Sequence, residues 1–273
     1  MEQKKMKKSD RDKIAVFTVL LFIVNSAGWL LIGNKVFIIS IPLLAMLIFF
    51  ILFDIYRKLY DSLNRHYQQL ESLFSIFSVI RPKIPLPDIR GWTASPDFLK
   101  KISEIILINK PELVVEASSG VSTLIIAYCL KHIGKGKVIS LEHDLTFAEA
   151  TRDMISAHGL SDFATIVHAP LKEVEIDHSK WLWYDTDGIH IEQPVDLVVV
   201  DGPPKRTQNL ARYPALPLLY KWLSDTSTII LDDGKRASEK QTVARWQKEF
   251  RNLSCNFIEL EKGAFIIKLK AAL

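Results

Sequence analysis

The sequence predicts an α/β domain with a mostly parallel sheet closed by an antiparallel hairpin, preceded by two transmembrane helices. Three observations carry this. Between Leu113 and Phe250, runs of β-forming residues alternate with stretches of helical periodicity. The last two apolar runs are separated only by a short connection around Glu261-Lys262-Gly263, which suits a hairpin. Upstream, Ile14 to Ile32 and Val36 to Phe53 are nineteen and eighteen residues without a charge, each just long enough to cross a hydrocarbon core of roughly 30 Å.

In chain order, residues 1–13 form a tail with six basic and three acidic side chains. Residues 14–53 hold the two apolar runs, joined by Gly33-Asn34-Lys35, which leaves room only for a tight hairpin. A cleaved signal peptide does not explain a second span that follows at once. Basic residues flank the outer ends of the pair, Lys4 to Lys13 on one side and Arg57, Lys58 and Arg65 on the other. The positive-inside rule then places both termini and the whole downstream domain in the cytoplasm, with the anchor in the inner membrane. Residues 54–80 turn amphipathic, with Leu59, Leu63, Tyr67, Leu70, Phe74 and Phe77 at steps of four and three. That stripe packs either on the chain's own domain or on a second copy, as a coiled-coil homodimer. Residues 81–91 carry Pro82, Pro85 and Pro87 and read as a linker.

Residues 92–273 hold the α/β domain. Ser95-Pro96-Asp97 is a helix start, with proline at N1 and an acid in the first turn, and the helix runs to about Ile108. Strands are predicted at Leu113–Ala117, Lys137–Leu141, Thr165–His168, Asp196–Val200 and Thr228–Leu231. Helices fall at Ser122–Lys131, Leu145–Ala157, Leu216–Leu223 and Ser238–Phe250. The stretch between His168 and Asp196 reads as irregular, and strands near Asn256–Leu260 and Ala264–Leu269 close the chain. Cys129 and Cys255 are far apart without metal-type spacing, as suits a reducing compartment. The net charge of +4 is carried mostly by the N-terminal tail and leaves about +1 elsewhere. Nucleic-acid binding gets no support from that balance.

Chemistry concentrates at strand ends. The first strand ends in Glu116 and runs through Ser118 and Gly120 to Ser122 and Thr123 at a helix start. About twenty residues on, the second strand ends in Glu142, placed to bind a ribose diol. No G-x-G-x-x-G is present, so a pyrophosphate cradle for NAD is not indicated. A cofactor with an amino-acid tail and a ribose wants one carboxylate near its ammonium, Glu116 or Asp201, and another near its diol, Glu142. S-adenosylmethionine fits that description, with His143 either flanking the adenine or standing as a surface histidine. Asp201 ends the fourth strand and Asp232-Asp233 the fifth, so all three open on one crevice. Together they could hold Mg²⁺, or serve as an ammonium partner and helix caps. Asp201 or Asp233 could take the proton of an acceptor hydroxyl. Trp183 and Tyr184, with Arg212 and Tyr213, either line an acceptor pocket or pack an insertion.

Several segments occur together in order: Gly91 to Phe98, Glu116 to Thr123, Leu141 to Asp144, His168 to Leu171, Asp201-Gly202-Pro203-Pro204, Arg212 to Pro217 and Leu231-Asp232-Asp233. The set resembles bacterial class I S-adenosylmethionine-dependent methyltransferases related to small-molecule O-methyltransferases, over roughly residues 85 to 270. The resemblance implies a seven-stranded Rossmann-like sheet with a closing antiparallel strand, and places Glu142 on the ribose. It also brings metal-dependent relatives to mind, which carry an Asp and an Asp-Asn pair where this chain has Asp201 and Asp232-Asp233. The family shows Glu-x-Gly-x-Gly in the first loop, and here Ser118 replaces the first glycine. The resulting expectation is a membrane-anchored O-methyltransferase acting on a small, lipid-linked or envelope-glycan acceptor. The alternative is an inactive scaffold on the same fold.

Overall fold

The computed structural model describes residues 19–20, 22–23, 26–30, 36–87, 94–187, 189 and 191–269. The basic tail, the turn between the two apolar runs and Gly91-Trp92-Thr93 lie outside them. The chain divides into two compact units, Met1–Asn64 and Arg65–Leu273.

The first long element, α1, is one uninterrupted helix over Val36–Ile80. The pattern turns amphipathic at Asp54, and because helical hydrogen bonding does not depend on polarity the helix continues through that change. Among the described residues one helix, Ser40–Ile80, is long and apolar enough to cross a membrane. At about 1.5 Å per residue α1 spans roughly 68 Å, more than twice a hydrocarbon core.

Within the second unit, the last turns of α1 are part of the domain. Ser72, Ile76 and Ile80 are buried, and Ile76 and Ile80 join Phe98, Leu99 and Ile102 in one core. Gln69 Oε1 accepts the Asp97 backbone N–H at 3.1 Å. The six-residue stripe picked out by its periodicity is a different face. It stays in solvent, with Leu70 54% and Phe74 74% exposed. Between the alternatives of own domain and partner, the stripe is therefore not the face that packs on the domain.

The sheet follows from the predicted alternation. Its elements are α2 (Pro96–Asn109), β1 (Leu113–Ala117), α3 (Val121–Ile133), β2 (Lys137–Glu142), α4 (Leu145–Ala157) and β3 (Ala164–His168). Then come β4 (Leu171–Ile176), β5 (Ser179–Tyr184), β6 (Val195–Val200), α5 (Ala215–Leu219), β7 (Leu223–Leu231), α6 (Ala237–Glu249), β8 (Leu253–Ile258) and β9 (Ala264–Leu269). Seven strands form one sheet in the order β3-β2-β1-β6-β7-β9-β8. Pairing is parallel from β3 to β7, and β9 runs antiparallel to both β7 and β8. β1 is buried along its whole length, as expected for a central strand covered on both faces. Because β1 leads to β2 on one side and β6 lies on the other, the sheet's switch point falls between the carboxyl ends of β1 and β6.

One element was read as irregular. β4 and β5 form a separate antiparallel hairpin, with Leu171 opposite Tyr184. Its turn residues Asp177 and His178 both have positive φ, 47° and 59°, as a two-residue hairpin turn of the primed type requires. Neither residue is glycine or asparagine, so the turn signal was weak.

Candidate active site

The crevice is built from the strand ends upward. At the end of β1 the Glu116 carboxylate is fully buried. Its Oε2 accepts the Thr123 hydroxyl at 2.6 Å and the Ser140 hydroxyl at 2.5 Å. Thr123 Oγ1 in turn accepts the Gly120 N–H at 3.1 Å. Glu116 therefore ties the loop to the start of α3 and to β2, and Oε1 has no partner. Burial lifts its carboxyl from an ordinary 4.5 to about 7. Thr123 and Ser122 are buried in the first turn of α3, so Thr123's hydroxyl is committed within the protein.

Between them runs the loop. Ser118 has φ 122° and Gly120 φ 141°. The first value lies in the region that favours glycine, so the serine sits where the sequence comparison expected strain. A Cβ built on Gly120 would meet nothing within 4 Å, so that residue faces open space. Beside the loop, Glu142 is buried at the end of β2. Its carboxylate accepts the Ser119 N–H and hydroxyl, both at 3.1 Å, and the Asp144 N–H at 3.1 Å. His143 Nδ1 lies 2.9 Å from Glu142 Oε1. A carboxylate bordering an open glycine loop suits a ribose-bearing cofactor, and S-adenosylmethionine fits this donor set.

On the other side of the switch point stands Tyr184. Its ring is buried and meets His143 edge-on, with ring centroids 6.1 Å apart. Its hydroxyl approaches Gly202 so closely that a Cβ there would lie 2.1 Å from it, with Ala117 O and Ser118 Cβ at 3.2 and 3.3 Å. The phenol thus enters the crevice from the β4–β5 hairpin. Burial, with Glu142 nearby, pushes its pKa well up.

Asp201, Asp232 and Asp233 converge as the sheet order requires, with ligand oxygens within 4.8 Å of one another. They do not stand open. Arg212, 4% exposed, donates to Asp201 Oδ1 at 3.0 Å, Asp233 Oδ2 at 2.8 Å, Asp201 O at 2.7 Å and Asp232 O at 2.9 Å. Arg236 reaches Asp233 Oδ2 at 2.7 Å. Asp232 is buried with neither carboxylate oxygen hydrogen-bonded. Burial and the charges of Asp201 and Asp233 lift it to about 8. Burial also raises Asp201, against the pull of Arg212. Of the oxygens that the possible Mg²⁺ would take, Asp201 Oδ1 and Asp233 Oδ2 are already held by guanidinium groups, which leaves the Asp232 carboxylate without a partner and argues against a metal between Asp201 and Asp233.

Three of the sequence assignments change. Trp183 and Tyr213 are fully buried core side chains rather than pocket walls. The Tyr213 hydroxyl donates to Glu249 at 2.8 Å, and its ring packs on Trp181 and under Arg245. Arg212 sits among the acids instead of reaching outward. Sequence reading missed Arg236, whose only signal was its position three residues after Asp233.

A seven-stranded sheet in this order, with an acid closing β2 beside a turn at the switch point, is the class I S-adenosylmethionine-dependent methyltransferase fold. Residues 117–234 match the family model described as a methyltransferase domain. Among solved structures, an O-methyltransferase from Bacillus cereus in complex with SAH is 17% identical, over 73% of this chain and 91% of that one, with a TM-score of 0.50. An SAH-bound methyltransferase from Podospora anserina is 14% identical, over 73% and 88%, with a TM-score of 0.51. A comparison with curated proteins found no match.

Proposed function

We propose that this chain is a membrane-anchored, S-adenosylmethionine-dependent O-methyltransferase. The observation that carries the cofactor reading is Glu142, a buried carboxylate at the end of β2 that already holds the neighbouring loop through Ser119. The cofactor's sulfonium supplies an electrophilic methyl group, and the protein's work is alignment and proton removal. Glu142 holds the ribose diol and His143 borders the adenine. Residues 118–120 present the loop to the amino-acid tail, and Tyr184 packs where cofactor and acceptor meet. Asp201 is the proton acceptor. Only one of its oxygens is held by Arg212, whereas Asp233 Oδ2 is shared by two guanidiniums. Oxygen as the acceptor atom is supported by the B. cereus enzyme's likeness in fold and by the carboxylates around the crevice.

Anchoring is supported by the apolar part of α1 and by the uncharged run of residues 14–32. We read these as two spans with both ends cytoplasmic, so the acceptor is a small molecule or a lipid- or glycan-linked group at the inner leaflet. The exposed stripe through Leu70 and Phe74 serves a second copy, anchored in the same direction. Leu70→Cys should form a disulfide-linked dimer in native membranes, and a purely monomeric Cys variant would sink that assignment.

The decisive experiment is calorimetric titration of S-adenosylmethionine into the full-length protein in nanodiscs, beside Glu142→Ala. Micromolar binding that the variant loses by 100-fold or more is expected for a lost bidentate contact, roughly 3 kcal/mol. No binding by the unmodified protein would instead favour a scaffold role, with Ser118 as its cause.

A further inference from the structure

We infer that Arg212 is the built-in cation of this site: its guanidinium stands in for a divalent ion between Asp201 and Asp233, and methyl transfer proceeds without metal. The inference rests on the function proposed above but concerns one side chain and three carboxylates. Parallel pairing sets Val200 of β6 beside Leu231 of β7, which delivers Asp201 and Asp232-Asp233 to neighbouring strand ends. Carboxylates so close and so buried repel one another unless a cation intervenes.

Arg212 supplies that cation with unusual fixity. Beyond the two carboxylates it bonds the backbone carbonyls of Asp201 and Asp232, so its fork reads the ends of both strands at once. Nη1 takes the Asp232 carbonyl while Nη2 faces Asp201 and Asp233, a division of donors that a planar guanidinium offers and an ammonium does not. The chain carrying it is clamped by the next residue. Tyr213 O accepts the Trp246 indole N–H at 2.9 Å, and the Tyr213 hydroxyl bonds Glu249. A swing of Arg212 out of the cluster would have to leave four acceptors behind. A hard cation binds oxygen at about 2.0–2.6 Å, so it could not share Asp201 Oδ1 and Asp233 Oδ2 with the guanidinium. In this role Arg212 is a positioning residue, holding Asp201 through Oδ1 alone.

The test is Mn²⁺ binding by electron paramagnetic resonance to full-length protein in nanodiscs, which needs neither cofactor nor acceptor. The unmodified protein should bind no stoichiometric Mn²⁺ at millimolar concentration. Arg212→Met should gain one site, and adding Asp233→Asn to it should abolish that site. Arg212→Lys keeps a charge and should still exclude the ion, which preserves the test if the methionine variant fails to fold. One Mn²⁺ bound by the unmodified protein and lost in Asp233→Asn would overturn the inference, as would a properly folded Arg212→Met variant that gains no site. Failure of S-adenosylmethionine to bind would count against the function above and leave the Mn²⁺ result to be read by itself.

Discussion

Ser118 occupies a backbone conformation that costs an L-residue energy, and its hydroxyl makes no hydrogen bond among the described residues to offset it. Ser118→Gly should raise the unfolding free energy by about 1 kcal/mol, read as a higher denaturant midpoint, and should leave S-adenosylmethionine affinity equal or tighter. Glu116 makes a prediction in pH. Its folded value, about 7, lies above the ordinary 4.5. The stability it lends is therefore fully present below pH 4.5 and is lost as pH rises through 7. The loss is on the order of 3 kcal/mol. Glu116→Gln keeps an oxygen for Thr123 and Ser140 but cannot ionise. Its advantage over the unmodified protein should be larger at pH 8 than at pH 5, measured by urea denaturation at both. An equal difference at the two pH values would show that Glu116 does not titrate in this range.

At the scale of elements, the β4–β5 hairpin decides how the crevice is filled. Its turn works against its sequence, since Asp177 and His178 take conformations that Asn-Gly adopts more easily. The double substitution Asp177→Asn with His178→Gly should stabilise the domain by about 1 kcal/mol without altering cofactor affinity. The other end of the hairpin is less tolerant. Gly202→Ala places a methyl group against the Tyr184 hydroxyl, a buried group without room to retreat. Cofactor affinity should fall in that variant, and Tyr184→Phe added to it should recover part of the loss. Additive effects in the double-mutant cycle would show that the two residues do not meet.

For the whole molecule, the consequential finding is that the last turns of α1 belong to the core of the α/β unit. Ile76, 2% exposed, and Ile80 complete the core around Phe98 and Ile102. A fragment starting at Pro82 should be less stable than one starting at Arg65 by several kcal/mol, from about 2–5 kcal/mol per deleted buried isoleucine side chain. Comparable melting temperatures for the two fragments would show that the α1 contacts contribute little.

Apart from β4 and β5, pattern alone determined the order of the main strands and helices from Leu113 onward, the closing hairpin and the acid at the end of β2. Each of these is written in local periodicity or in a strand end, and local signals survive in one dimension. Even α4 at Leu145–Ala157 and β1 at Leu113–Ala117 were legible to the residue. Only the tertiary structure decided which polar groups meet. The distance from Arg212 to Asp233 is set by the pairing of β6 with β7 and by the clamp on Tyr213, neither of which has a sequence signature. The same holds for Trp183 and Tyr213, aromatics whose burial depends on what folds over them. It holds too for α1, where two apolar faces compete in the sequence and the packing of Phe98 and Ile102 selects one.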